Sequence, residues 1–247
     1  MYNGFYVIFN NSTDKEKGIV TTKRPNIPST IPRYEEQEVS GGEGNLNTFI
    51  GFEDLKLPVE FNFYSTGNLN LIWRKVKAWL LNIDDNKLTF SDDREVYYKV
   101  KKVIIPEDIE RTKKIGRFQV TFICYPFTYS YDGLEEIELH EGLNIIYNEG
   151  SYKSNPIFKI YAEGIISLSV NNKSVSINIG QKIIVDVERE LSYRSKEEFL
   201  NRQFLNKDIR GDYKNLKLIP GENTINISVK PGGRLDKIEL IPNWRFY

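Results

Sequence analysis

The sequence has one cysteine, Cys124, and one histidine, His140, among its 247 residues. A lone cysteine closes no disulfide within the chain and builds no thiolate metal cluster. A structural zinc site draws its ligands mainly from several histidines and cysteines, and two such residues cannot supply them. No metal and no cofactor are therefore expected. Charge of one sign is not in excess either: 34 Lys and Arg stand against 34 Asp and Glu, and the balance holds on each side of Gly133. Grip on phosphates needs clustered basic charge, so no specific nucleic-acid partner is expected. No apolar run approaches the ~20 residues of a membrane span. No membrane partner is expected, and the segment Met1 to Lys17 lacks the basic and apolar regions of a signal peptide and does not read as one. Walker-type and dinucleotide glycine patterns are missing as well. Gly41-Gly-Glu-Gly44 is not followed by a helical pattern, so it reads as a turn and not as a phosphate cradle.

What is present is aromatic and alternating. Tyr (15) and Phe (14) are abundant, and hydrophobic residues make up 40% of the chain, enough for a packed core. Abundant aromatics favour strands over helix bundles. Tyr2–Phe9 reads as a short strand. Arg24 to Pro32 holds Pro25, Pro28 and Pro32 and reads as an extended connector. Val39–Leu46 is a glycine-dense turn, followed by a strand over Thr48–Phe52. In Leu57–Tyr64, Val59, Phe61 and Phe63 alternate with Glu60 and Asn62, the period of a half-buried strand. Asn68–Ile83 differs: Leu69, Ile72, Val76, Trp79, Leu80 and Ile83 recur at steps of three and four, which predicts an amphipathic helix capped by Asn68 or Thr66. Asp84–Asn86 ends it. Strands follow over Lys87–Phe90 and Val96–Ile105, split by a polar turn at Ser91–Glu95. Phe118, Val120, Phe122 and Cys124 then alternate toward one face in a strand that ends at Pro126.

From Leu134 the texture changes to evenly spaced short strands, as in a β-sandwich. They fall at Ile137–His140, Leu143–Tyr147, Ile157–Glu163, Ile165–Val170, Ser174–Ile179, Lys182–Val187, Asn223–Val229 and Leu235–Ile241. Turns are expected at Glu149–Ser151, Asn171–Lys173 and Gly180–Gln181. Gly142-Leu-Asn144-Ile-Ile echoes Gly221-Glu-Asn223-Thr-Ile, which two turns of similar chemistry explain without duplication. Ser195-Lys-Glu-Glu198 matches a helix capping box, with Phe199, Leu200, Phe204 and Leu205 behind it; a helical turn and an excursion at a strand edge both fit. The natural boundary lies near Tyr129–Gly133, giving domains 1–133 and 134–247.

Reactive chemistry is sparse. His140 sits in an acidic strand with no obvious nucleophile beside it, and reads as a partly exposed strand residue and not as a general base. The carboxylate pairs Glu35/Glu36, Asp84/Asp85, Asp92/Asp93 and Glu135/Glu136 are sequence neighbours. On a strand, neighbours point to opposite faces, so they do not make a glycosidase pair and read as solvated residues. Arg210-Gly-Asp212 spells an adhesion tripeptide, a match common by chance. Trp79 lies on the helix's apolar stripe and belongs to a core. Trp73 lies off its centre and is free to face a partner. Trp244, in the tail Pro242-Asn-Trp-Arg-Phe-Tyr247, is a candidate for stacking on sugars, against the reading that it closes a core.

The order of these pieces resembles one family, the distal tail proteins of siphophages, along nearly the whole chain. Val39-Ser-Gly41-Gly-Glu-Gly44-Asn-Leu46 is similar to the family's Val-Pro-Gly-Arg-x-Gly-x-Leu turn, with Ser40 for the proline and Gly42 for the arginine. The strand Leu57–Tyr64, the helix with Trp79-Leu80, and Lys87 through Tyr98 follow in the family's order. Gly116 to Phe122-Ile-Cys124-Tyr-Pro126-Phe-Thr-Tyr129 resembles its Cys-x-Pro-aromatic strand. Asn148-Glu-Gly150 leading to Asn155-Pro156 resembles the entry to its second domain, and Pro220-Gly221-Glu-Asn223 its closing turn.

The resemblance implies a mainly β protein. Its first domain is a tail-tube-like split β-barrel with one flanking α-helix, and its second is a galectin-like β-sandwich. It implies a non-enzymatic, structural protein of the virion tail tip. Copies of the chain form a hexameric ring that joins the major tail tube protein to a tail-associated fibre or lysin protein, and in some members to a receptor-binding protein. Here 134–247 is a minimal sandwich with no room for an inserted arm. Strand edges of the first domain, in Leu57–Tyr64 and Gly116–Cys124, are the expected ring contacts. The rival reading is a carbohydrate-binding adhesion module acting through the sandwich. A tail-like bacteriocin component keeps the same architecture, and a glycosidase is the weakest alternative.

Overall fold

The fold is that of a computed structural model, which describes residues 4–38, 44–64, 68–105, 110–111, 115–194 and 203–247. It divides into two compact units, Met1–Tyr129 with Tyr247, and Ser130–Phe246. Both are built mainly from strands.

The first unit contains β1 (Val7–Phe9), β2 (Pro32–Glu38), β3 (Asn45–Phe52), β4 (Leu55–Tyr64), α1 (Leu69–Leu81), β5 (Lys87–Phe90), β6 (Asp93–Ile104) and β7 (Ile115–Ser130). Its main sheet runs β1, β5, β6, β7, β4, with short strands Ser12–Thr13 and Val20–Thr21 at its two ends. The alternation in β4 and β7 fixes their register: Leu57 faces Phe122, Val59 faces Val120 and Phe61 faces Phe118. A one-residue slip would turn all of these side chains to water, so the pairing is strongly specified. Phe63 faces Gly116, where a Cβ would run into its ring.

The apolar stripe of α1 covers this face. Trp73, Val76, Trp79 and Leu80 join the core with Phe9, Phe61, Phe118 and Phe122. Asn68 caps the helix by accepting from the Asn70 N–H at 2.9 Å, as the sequence predicts; Thr66 lies outside the described residues. Trp73 is not free for a partner: it is buried, with its ring 4.9 Å from that of Phe118. The 3.6-residue period carries it to the core side of a helix whose buried stripe is wider than the alternation of Leu and Ile implied.

Other boundaries also moved. β7 runs past Pro126 to Ser130. Its register with β4 stops at Cys124, so the missing proline N–H removes no bond from that ladder. The turn expected over Ser91–Glu95 shrinks to Ser91 and Asp92, because Asp93 already pairs with Phe90.

The second unit contains β8 (Ile137–Leu139), β9 (Gly142–Asn148), β10 (Ile157–Val170), β11 (Lys173–Asp186), β12 (Leu191–Arg194), β13 (Gly221–Val229) and β14 (Arg234–Ile241). Four strands expected from the sequence merge here into two. β10 and β11 form one long hairpin, paired without a break from Ile157↔Asp186 to Val170↔Lys173. Its two-residue loop, Asn171–Asn172, has φ of 49° and 66°. Two left-handed residues make the turn that matches the twist of paired strands, and Asn tolerates that conformation.

Gly180–Gln181 is not a turn; Gln181 pairs with Ala162 inside the hairpin, at φ 80°. Near the same level Gly164 has φ 92°. The hairpin changes neighbours here: Ile157–Glu163 pairs with β14, and Ile166–Val170 pairs with β13. The glycine accommodates a backbone conformation that a side chain would strain. Both halves turn even-numbered side chains, Phe158, Ile160, Ala162, Ile166, Leu168 and Val170, into one core with Ile225, Ile227, Ile238, Leu240 and Trp244. The capping-box residues Ser195 to Leu200 lie outside the described residues.

Candidate assembly surface

Strands β2 and β3 form a separate two-stranded sheet. Their register runs from Pro32↔Phe52 to Glu38↔Asn45, with a bulge beyond Arg33 that leaves Gly51 at φ 140°. Every residue of β2 is exposed, and so is β3 from Asn45 to Ile50. Leu46, Tyr34, Ile50 and Phe49 remain 45–55% open to water. The ribbon is held at its base. Phe49 stacks edge-on against Phe52 at 5.1 Å, Phe52 against Phe127 of β7 at 5.2 Å, and the Glu53 N–H donates to the Ile31 carbonyl at 2.9 Å. An isolated two-stranded ribbon is marginal in water. One that also exposes this much aromatic and aliphatic surface is a candidate contact surface.

Of the strands expected to make contacts, Gly116–Cys124 lies inside the main sheet, paired with Leu57–Tyr64; the outer side of Leu57–Tyr64 is met by the short strand Val20–Thr21 only at Phe61 and Asn62. Sequence reasoning found one arm of the ribbon, as the strand over Thr48–Phe52, and missed the other because β2 reads Pro-Arg-Tyr-Glu-Glu-Gln-Glu, with no apolar alternation to betray a strand.

The residues that carry the family resemblance fall into three groups. Gly44 and Leu46 stand at the ribbon, both exposed, Gly44 with φ 105°; Gly41 lies outside the described residues. Trp79, Leu80, Phe122, Cys124 and Tyr129 are buried. Trp79 donates from Nε1 to the Phe9 carbonyl at 2.9 Å, and Tyr129 stacks on Tyr97 at 5.6 Å. Pro126 accepts at its carbonyl from the Thr30 hydroxyl, 2.7 Å away.

The third group holds turns of the second unit. Asn148 accepts from the Gly150 N–H at 2.9 Å and donates to the Leu218 carbonyl at 3.2 Å. Gly150 lies so close to the Arg245 backbone that a Cβ would collide with it. The Pro156 carbonyl accepts from the Val187 N–H. Asn223, fully buried, accepts from the Ile219 N–H and donates to the Ile219 and Gly221 carbonyls at 2.7 and 2.9 Å. Asn144 repeats that pattern on His140 and Gly142, at 2.9, 2.8 and 3.2 Å. Gly142 and Gly221 share φ of 96° and 85°. The echo in the sequence is therefore one turn used twice, at the starts of two strands that pair with each other.

The reactive candidates have structural occupations. Burial pushes the Cys124 thiol up to about 12, so it stays protonated at neutral pH and packs as a small apolar group. Trp244 is 5% exposed and lies in the second core, which leaves no ring face for a sugar. Arg210 pairs with Ser176, and Asp212 caps a short helical turn by accepting from the Lys214 N–H at 2.8 Å. Asp84 and Asp85 donate their backbone N–H groups to Asn10, and Glu136 pairs with Lys159 at 2.5 Å. Among the described residues no three His, Cys, Asp or Glu side chains gather as a metal site would need, and no helix is long and apolar enough to cross a membrane.

Residues 5–124 match the family model of the phage tail protein RIFT-related domain. That stretch is similar to a phage tail domain, and the whole chain has the fold of a distal tail protein. It superposes on the Dit protein of SPP1, described as a paradigm of the hub adsorption apparatus in phages infecting Gram-positive hosts, with a TM-score of 0.67 and 15% identity over 98% of this chain and 99% of that one. A chain of the phage P2 baseplate in its activated conformation with Ca matches with a TM-score of 0.52 and 10% identity, over 96% of each chain. No curated protein matches the sequence.

Proposed function

We propose that this chain is the ring subunit of a phage tail tip, a structural hub between the tail tube and the adsorption apparatus, and not an enzyme. The observation that carries the reading is the β2–β3 ribbon, a strand pair whose apolar side chains stand in water within the segment that matches the phage tail family. A ribbon of this kind reaches from one subunit to the next and buries Tyr34, Phe49 and Ile50 there. Repeating that heterologous contact around an axis closes a ring, with six copies as in the family resemblance. The 1–133 domain forms the ring. The galectin-like 134–247 domain meets the fibre or lysin protein, and a receptor-binding protein where one is present.

The test is assembly. Sedimentation velocity and negative-stain microscopy of the purified chain, alone and with its tail tube protein, should show closed rings. Leu46→Glu with Ile50→Glu should reduce them to folded monomers, because both side chains are half-exposed and neither belongs to the Phe49, Phe52 and Phe127 contacts that hold the ribbon's base. A parent chain that remains monomeric under both conditions ends this proposal.

A further inference from the structure

Strand β9 carries a second unpartnered surface, in the other unit. Among the described strands it pairs with β13 alone, so its other edge presents free backbone groups. Natural edge strands are usually blunted by a lysine, a proline or a bulge. β9 has none of these: it reads Gly-Leu-Asn-Ile-Ile-Tyr-Asn and pairs with β13 in unbroken register. Its outer face is apolar as well. Leu143, Ile145 and Tyr147 stand 69%, 61% and 67% exposed at alternate positions. The side chains opposite them on β13, Asn226, Thr224 and Glu222, are polar, so the apolar row lies along the edge itself.

We propose that β9 is a docking edge that accepts an extended segment of another protein as an added strand, one whose side chains alternate apolar and polar and whose ends carry lysine or arginine. Backbone pairing along the free edge supplies the binding, and the row Leu143, Ile145, Tyr147 supplies the choice of apolar residues. Charge supplies the rest. The residues bordering the strand are Glu141 and Glu149, and Glu222 faces Tyr147 across the sheet; all three are exposed and none takes part in an ion pair among the described residues.

The same charges argue against a second copy of this chain. An antiparallel pair centred on Ile145 would match apolar rows but would set Glu141 of each copy against Glu149 of the other. This inference is independent of the ring reading, since it concerns the second unit and a free peptide can test it.

The experiment is calorimetric titration of the full chain with a short peptide alternating valine and threonine between two lysines at each end. The control peptide has the same middle and glutamates at its ends. The lysine peptide should bind about tenfold more tightly at low salt, with the difference shrinking as salt is added. Ile145→Lys should abolish binding, with an unchanged melting temperature because the position is exposed. Glu141→Lys with Glu149→Lys should reverse the preference toward the glutamate peptide. Three outcomes overturn the proposal: no binding of either peptide, binding that survives Ile145→Lys, or a concentration-dependent dimer of the parent chain that Ile145→Lys abolishes.

Discussion

At the scale of single residues, Asp186 carries a charge that the fold tolerates poorly. Its carboxylate is buried, and that burial raises its pKa above the ordinary aspartate value, outweighing the Arg189 backbone N–H at 3.1 Å and the Arg189 guanidinium at 3.6 Å. A carboxyl with a raised folded pKa holds its proton more tightly in the native state than in the unfolded one. Between the ordinary value and the raised one, the native state therefore gains stability as pH falls and loses it as pH rises. Asp186→Asn keeps an oxygen to accept from Arg189 and removes the charge. Its melting temperature should exceed the parent's at neutral pH, and the gap should close as pH falls toward the ordinary aspartate range in a fluorimetric melting series. A parent that melts higher at neutral pH would mean that the contact with Arg189 outweighs burial. The Asn144 and Asn223 turns were legible at this scale because their whole chemistry lies within five residues. Asp186 was not, since only folding decides what surrounds it.

At the scale of elements, α1 shows where local reading succeeds and stops. Its stripe and its Asn68 cap are properties of neighbouring residues. Its far end is closed by Asn10, at φ 49°, which donates to the Trp79 and Asn82 carbonyls at 3.0 and 2.5 Å and accepts from the Asp84 and Asp85 N–H groups at 2.9 and 3.0 Å. Two of these bonds satisfy carbonyls at the end of the helix, and the other two satisfy N–H groups of the turn that follows it. The separation of some seventy residues hides the clasp from any sequence window. Asn10→Ala removes the bonds and strains the left-handed backbone, and should cost about 2–3 kcal/mol in urea unfolding. Asn10→Gly relieves the backbone alone and should recover part of that loss. A pair of variants within about 0.5 kcal/mol of the parent would show that water replaces the clasp. The merged hairpin β10–β11 taught the opposite lesson. Gly164 and Gly180-Gln181 carry turn chemistry, and the structure places it inside a continuous strand pair, where the hairpin changes neighbours.

At the scale of the whole molecule, the chain's balanced charge decides what kind of force can assemble it. With 34 residues of each sign, long-range attraction between copies is weak at neutral pH. The ribbon offers Tyr34, Leu46, Phe49 and Ile50, so the drive to associate is removal of apolar surface from water. That drive has a signature opposite to ion pairing. It weakens on cooling and barely responds to moderate salt, whereas surface ion pairs are screened over about 8–10 Å at ordinary ionic strength. Rings should therefore grow in population between about 5 and 25 °C, where the apolar term strengthens with temperature. They should persist from about 0.1 to 0.5 M sodium chloride, because screening touches only the exposed charges. Glu35, Glu36 and Glu38 on β2 set the competing case, in which the ribbon is drawn to a basic patch on its neighbour. Rings that dissolve as salt rises, at constant temperature by sedimentation velocity, would assign the contact to those carboxylates and leave the aromatic row as bystander.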